Sequence, residues 1–177
     1  IKVGADQVLV AQMHYYQSGP EVDGLTDQSG YQLVTAPEVD VPLRMAPLGL
    51  YDFRIPAGDP AYTHTDSFEL PMGLTGRVHA VFPHMHVLGS AYRAWLEHED
   101  GSETCIAQGK YDFENQLSYV FKEPVQIQSG DEIHLSCTWD NSTDNPDRIL
   151  DEPVDTFYGE RTDEEMCYAF SLVSIGQ

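Results

Sequence analysis

The chain is 177 residues long and 41% hydrophobic, enough for one substantial core. Its 9 Lys and Arg face 29 Asp and Glu, a net charge of −20. That charge repels phosphate backbones, excludes a nucleic-acid partner and disfavours anionic membrane surfaces. No stretch reaches the roughly 18 consecutive apolar residues that a transmembrane helix needs.

The chain opens on Ile1 without a recognisable secretory leader, as expected of a processed or trimmed piece of something longer. Val8 to Tyr16 reads as a strand by residue type. Ser18 to Ser29 is loop, rich in Gly, Pro and Asp. Tyr31 to Val34 and Leu48 to Phe53 read as further strands, and Gly76 to Phe82 follows. Ala91 to His98 alternates apolar and polar residues; Asp100-Gly101 then signals a turn, and Ser102 to Ala107 returns as the hairpin partner. Leu117 to Phe121 and Val125 to Ile127 come next, and Ser129-Gly130-Asp131 turns into Glu132 to Trp139. Asp140 to Glu165 is a long polar connection, a length often found in functional loops. Tyr168 to Ile175 closes the chain. No amphipathic helical repeat competes with these segments. Short strands at regular spacing predict an all-β chain, an antiparallel β-sandwich of jelly-roll type.

The most informative stretch is Phe82-Pro83-His84-Met85-His86. In an extended chain Val78, Ala80, Phe82, His84 and His86 share one parity and point to one face. Two imidazoles about 7 Å apart along a strand can grip one metal ion. Pro83 disfavours a central paired strand and fits a strand end. Met166 could add a soft thioether, and two imidazoles with a thioether suit copper better than zinc or calcium. Met166 shares parity with Tyr168, Phe170 and Leu172, which reads as the buried face. Of the three cysteines, Cys105, Cys137 and Cys167, one bridge and one free thiol would fit, and no C-x-x-C occurs. Cys105 reads as a buried or unpaired thiol. His79 has the opposite parity to His84 and reads as a surface or inter-sheet residue. His64, His98 and His134 have no partner motif and read as structural. Asp140 to Asp144 lacks the Gly and terminal Glu of a calcium loop and reads as solvated. Asn141-Ser142-Thr143 is a glycosylation sequon, meaningful only in a eukaryotic source.

Four segments together resemble a known family. Phe82 to Ser90 resembles the H-T/M-H-x-x-G segment of the copper type II, ascorbate-dependent monooxygenases, the peptidylglycine α-hydroxylating and dopamine β-monooxygenases and their bacterial relatives. Asp163-Glu164-Glu165-Met166-Cys167 is similar to the family's D/E-E-M-C, and Gly130 to Trp139 to its G-D-x-x-x-x-x-C-x-Y/F strand. Met13-His14-Tyr15-Tyr16 resembles its H-Y segment near the end of the first domain.

The resemblance implies roles. His84, His86 and Met166 match the ligands of the oxygen-binding copper, and Cys137 and Cys167 match a disulfide that locks Met166 near the histidines. His14 matches the third histidine of a first, electron-transferring copper, whose adjacent His-His pair is not in this chain. The implied organisation is residues 1–17 as the last strand of a preceding copper domain or linker, and 18–177 as the C-terminal copper-binding sandwich. Two coppers are implied for the full-length enzyme and one for this domain, with O₂, a small-molecule substrate and ascorbate as reductant. A disulfide would place the protein outside the cytosol, whether secreted, periplasmic or at the cell surface.

The peptide hydroxylases carry an Arg where this chain has Phe82, and an Asn and a Tyr where it has Tyr168 and Phe170. A substrate carboxylate would lose its guanidinium partner. Phe82, Tyr168 and Phe170 are expected to line an apolar, aromatic pocket for a less polar substrate. The favoured reading is a copper monooxygenase domain that hydroxylates a C–H bond. The alternatives are a non-enzymatic copper-binding β-sandwich for storage, delivery or sensing, and a metal-free sandwich for adhesion or assembly.

Overall fold

A computed structural model describes residues 4, 6–11, 13, 15 and 19–176. The chain divides into two compact units, Ile1–Pro42 and Leu43–Gln177.

In the first unit a single 3₁₀ turn, Pro20–Val22, is the one regular element among the described residues. Among the described residues, the strand expected over 31–34 is not formed, and residues 8–11, 13 and 15 of the one expected over 8–16 lie outside any strand; the rest of that segment lies outside the described residues. Val8, Val10 and Val34 are more than four-fifths exposed. β-branched residues favour a pleated surface only when a neighbouring strand supplies one, and none does here.

The second unit holds ten strands among the described residues: β1 (Arg44–Leu50), β2 (Arg54–Ile55), β3 (Tyr62–Glu69), β4 (Gly76–His84), β5 (Gly89–Glu97), β6 (Glu103–Lys110), β7 (Tyr119–Ile127), β8 (Glu132–Trp139), β9 (Thr156–Phe157) and β10 (Cys167–Ile175). One sheet has the order β1-β10-β4-β7 and the other β3-β8-β5-β6, with β2 and β9 forming a small pair. Every ladder is antiparallel. The all-β antiparallel sandwich expected from the sequence is therefore present. The expected hairpin is β5–β6, turning through Gly101, whose φ of 79° suits glycine.

The core lies between the two sheets. Leu135, Cys137 and Trp139 alternate inward from β8, and Leu96 from β5. They meet Val78 and Val81 from β4 and Cys167, Ala169 and Val173 from β10. Phe53 stacks on Trp139 at 4.7 Å.

Two bulges correct the expected strand faces. The β4–β7 ladder shifts between Val78 and Ala80, and the β4–β10 ladder shifts between Leu172 and Val173. In the β10 ladder the extra residue is His79 on β4, and along β4 the inward parity changes there, while β10 keeps its odd-numbered residues inward. Val81 and Pro83 therefore face the core, and Phe82 and His84 do not. On β10 the buried face carries Cys167 and Ala169, and Tyr168 and Phe170 sit half-exposed on the outer side. The parity shared by Met166, Tyr168 and Phe170 marks the outer face, not the buried one.

Cys137 of β8 and Cys167 of β10 form a disulfide with a Cα–Cα distance of 6.0 Å across 30 residues of chain. It joins the two sheets at the end where Met166 precedes β10. Reduction, or Cys137→Ser with Cys167→Ser, is expected to lower unfolding free energy by about 3–4 kcal/mol in the chain-entropy account. Urea unfolding with and without reductant checks this.

Candidate metal centre

β4 ends at His84, which pairs with Tyr168 of β10 in the last register position of that ladder. The β4–β7 ladder has already stopped at Val81–Tyr119. Pro83 thus lies where β4 is flanked by β10 alone, so its missing N–H costs no ladder bond. The strand is central, and the proline still sits at an effective edge.

Both imidazoles are held through Nδ1. His84 Nδ1 lies 2.8 Å from Gln116 Oε1. The amide orientation is fixed because Gln116 Nε2 donates to the Phe113 carbonyl at 3.0 Å. Gln116 Oε1 is therefore the acceptor and His84 Nδ1 the donor. His86 Nδ1 lies 2.9 Å from the Glu164 carbonyl, which can only accept. In the neutral state both rings carry their lone pair on Nε2, the arrangement by which outer hydrogen bonds prepare histidine for a metal. The ring centroids are 5.3 Å apart with planes at 84°. Two imidazoles sharing one ion through nitrogens at about 2.0–2.1 Å, in tetrahedral disposition, need centroids about 5 Å apart.

A residue without an assigned role in the sequence reading organises this end of the sandwich. Glu165 is fully buried. Its Oε2 accepts from the backbone N–H of His86 at 2.9 Å, the indole N–H of Trp139 at 2.9 Å and the backbone N–H of Met166 at 3.2 Å. Its Oε1 accepts from the backbone N–H of Leu88 at 2.7 Å. One carboxylate oxygen thus binds the backbones of His86 and Met166 together. Burial pushes Glu165 up to about 7, against the opposite pull of its four N–H donors.

Met166 is half-buried and lies between this carboxylate and the bridged Cys167. Tyr111 donates to the Met85 carbonyl at 2.6 Å, bracing the residue between the two histidines. The loop after β6 therefore supplies two supports, Tyr111 and Gln116. Among the described residues no group of three or more His, Cys, Asp or Glu is arranged to hold a metal. Of the expected donor set, the two imidazoles come together, and the Met166 backbone is tied to that of His86 through Glu165 Oε2.

Phe82, Tyr168 and Phe170 share the outer face with His84. Phe82 and Phe170 are register partners. Tyr168 stacks on Phe170 at 4.9 Å with planes 2° apart, and Phe170 lies 6.2 Å from His84. The Tyr168 ring crosses directly over Gly49 of β1, where a Cβ would come within 2.4 Å of it. Gly49 leaves the room the ring occupies.

The remaining sequence candidates fall elsewhere. His14 lies outside the described residues. His79 sits at the β4 bulge with Nε2 2.9 Å from Ser174 Oγ. His98 contacts Asp131 at 2.6 Å and Thr104 at 2.8 Å, and His134 stacks on Trp95 at 4.8 Å. His64 lies 6.1 Å from Phe53, ring to ring. Cys105 is unpaired and exposed rather than buried. Asn141 is a correction: it is 2% exposed, and its Nδ2 donates to the carbonyls of Pro56 and Val154. It is a buried brace, not part of a solvated loop, and the sequon nitrogen is occupied.

The model of the copper type II ascorbate-dependent monooxygenase C-terminal domain matches residues 61–172. The chain belongs to that family. A mouse protein, DBH-like monooxygenase protein 2, is 28% identical over 170 residues, covering 88% of this chain and 26% of its own length. The chain thus spans about a quarter of that relative. A solved structure of infectious bursal disease virus Gx strain aligns at 14% identity with a TM-score of 0.23, over 81% of this chain and 35% of that one, a likeness that carries no argument.

Glu165 stands inside the D/E-E-M-C segment, so its position was visible; its partners Trp139, Leu88 and His86, 26 to 79 residues away, were not. Gln116 and Tyr111 had no signal at all. Glu165→Gln must turn an NH₂ towards an N–H donor and is expected to cost about 1–3 kcal/mol. The folded value of Glu165 lies above its ordinary 4.5. Its contribution to the metal-free fold is therefore full below about 4.5 and lost as pH rises through about 7. Glu165→Gln removes that slope. Denaturant titrations of both proteins across this range check cost and slope together.

Proposed function

We propose that this chain is the copper-dependent monooxygenase domain that carries the oxygen-binding copper, held by His84, His86 and Met166. The observation that carries the reading is the paired Nδ1 anchoring of His84 and His86, which directs both Nε2 lone pairs away from their supports. Copper bound there would supply one-electron chemistry with O₂ for hydroxylating a C–H bond, with ascorbate or a similar external reductant as electron source.

The chain's own residues supply the rest. Gln116 and the Glu164 carbonyl hold the imidazole tautomers. Glu165 and the Cys137–Cys167 bridge fix the backbone on either side of Met166. Phe82, Tyr168 and Phe170 offer an aromatic, uncharged surface beside His84, which favours a substrate without a carboxylate. His14 is proposed as one ligand of a second copper in a preceding domain, with residues 1–17 belonging to that domain or its linker and 18–177 forming this one. The disulfide supports an extracytoplasmic, oxidising location.

Anaerobic Cu(I) titration against a chromophoric chelator tests the site. Wild type is expected to bind one equivalent. Met166→Ala and His84→Ala should each weaken binding by about 10-fold or more, with the copper–sulfur shell in X-ray absorption lost only in Met166→Ala. Copper binding indifferent to both substitutions would overturn the reading.

A further inference from the structure

The outer face of the first sheet carries more connected aromatic groups than a copper site requires. The row starts at His84 and passes to Phe170 at 6.2 Å and from there to Tyr168 at 4.9 Å. Tyr168 Oη lies 3.1 Å from Tyr158 Oη. The Tyr51 ring is 4.9 Å from Tyr158 and 5.7 Å from Tyr168. Tyr51 is 56% exposed, so the row ends in solvent. Three phenols gathered together exceed what packing needs, since phenylalanine would cover the same area. The hydroxyls add a hydrogen-bonded path that rings alone would lack.

We infer that Tyr168, Tyr158 and Tyr51 form a relay that carries an oxidising equivalent from the copper site to the protein surface. The inference rests on the copper reading above. Copper held there, reducing O₂ without a substrate to hydroxylate, would supply a one-electron oxidant, and the Met166 thioether is readily oxidised to the sulfoxide. Tyr168 can supply the missing electron across its stack with Phe170. Its phenolic proton passes to Tyr158 Oη as Tyr158 releases its own to water, leaving a neutral tyrosyl radical. Tyr51 then reduces that radical and loses its own proton to water, while Tyr168 Oη regains a proton from Tyr158 Oη, which takes one back from water. An external reductant of the ascorbate class returns one electron to Tyr51, and water returns the proton. The balance is one electron from the reductant to the oxidant, which takes up a proton from water, with no residue consumed. The relay protects the thioether and imidazoles during idle turnover.

The test uses the 177-residue chain loaded with one equivalent of copper, in air, with limiting ascorbate and no substrate. Oxidation is read by peptide mass spectrometry. Wild type is compared with Tyr51→Phe/Tyr158→Phe, which keeps ring packing and all three proposed ligands, and Cu(I) binding is measured on the same samples. In wild type, copper-dependent hydroxylation or dityrosine is expected at Tyr51, with Met166 largely spared. In the double variant, Met166 sulfoxide and His84 oxidation should form about threefold faster or more. Equal Met166 and His84 oxidation in both proteins, with no copper-dependent product at Tyr51, overturns the relay and leaves the copper reading standing if Cu(I) is bound. Absence of bound Cu(I) together with absence of any copper-dependent oxidation overturns both.

Discussion

Glu165 has no contact with solvent, and its two oxygens receive four N–H groups from three parts of the chain: the His86–Leu88 turn after β4, Trp139 at the end of β8, and Met166 before β10. Burying a carboxylate costs several kcal/mol unless hydrogen bonds replace its water. Two of the replacement donors are the backbone N–H groups of candidate ligands, His86 and Met166. The fold can keep this group only by bringing His86 and Met166 to one oxygen. The polar burden of the core and the assembly of the site are one constraint.

The disulfide and the bulges work on the same end of the molecule. Cys167 follows Met166 directly and is tied to β8 of the opposite sheet. The bulge at Val78–Ala80 turns Phe82 and His84 to the outer face, and the end of the β7 ladder leaves β4 open on one side there. The result is a rigid sheet end with donors at its rim and an aromatic face beside it. Rigidity under these candidate ligands, with an open face above them, is the arrangement the proposed function would need.

Much of the sandwich was legible because its inner strands alternate cleanly. Segments near 76–84, 89–97, 103–110, 132–139 and 167–175 all carry readable strand signals. The strand over Tyr62–Glu69 was missed because Thr63, Thr65, Asp66 and Ser67 give a polar, edge-like composition. Strand content was overestimated over 31–34 and over the described part of 8–16, where the described residues pair with no strand. What sequence parity could not see were the bulges, since one extra residue reverses every face that follows. For the candidate site, motif spacing singled out His84, His86 and Met166. The residues that orient them, Gln116 and Glu165, act through contacts between distant parts of the chain, which a local pattern does not encode.

The central claim is that the metal-free fold already presents both histidines in the tautomer a metal needs. The most direct measurement is the side-chain ¹⁵N–¹H correlation spectrum of the metal-free protein at a pH where the imidazoles are neutral. The account predicts a protonated Nδ1 and an unprotonated Nε2 for both His84 and His86. A proton on Nε2 of either ring would contradict it, because the hydrogen bonds to Gln116 and to the Glu164 carbonyl would then not be the ones that set the site.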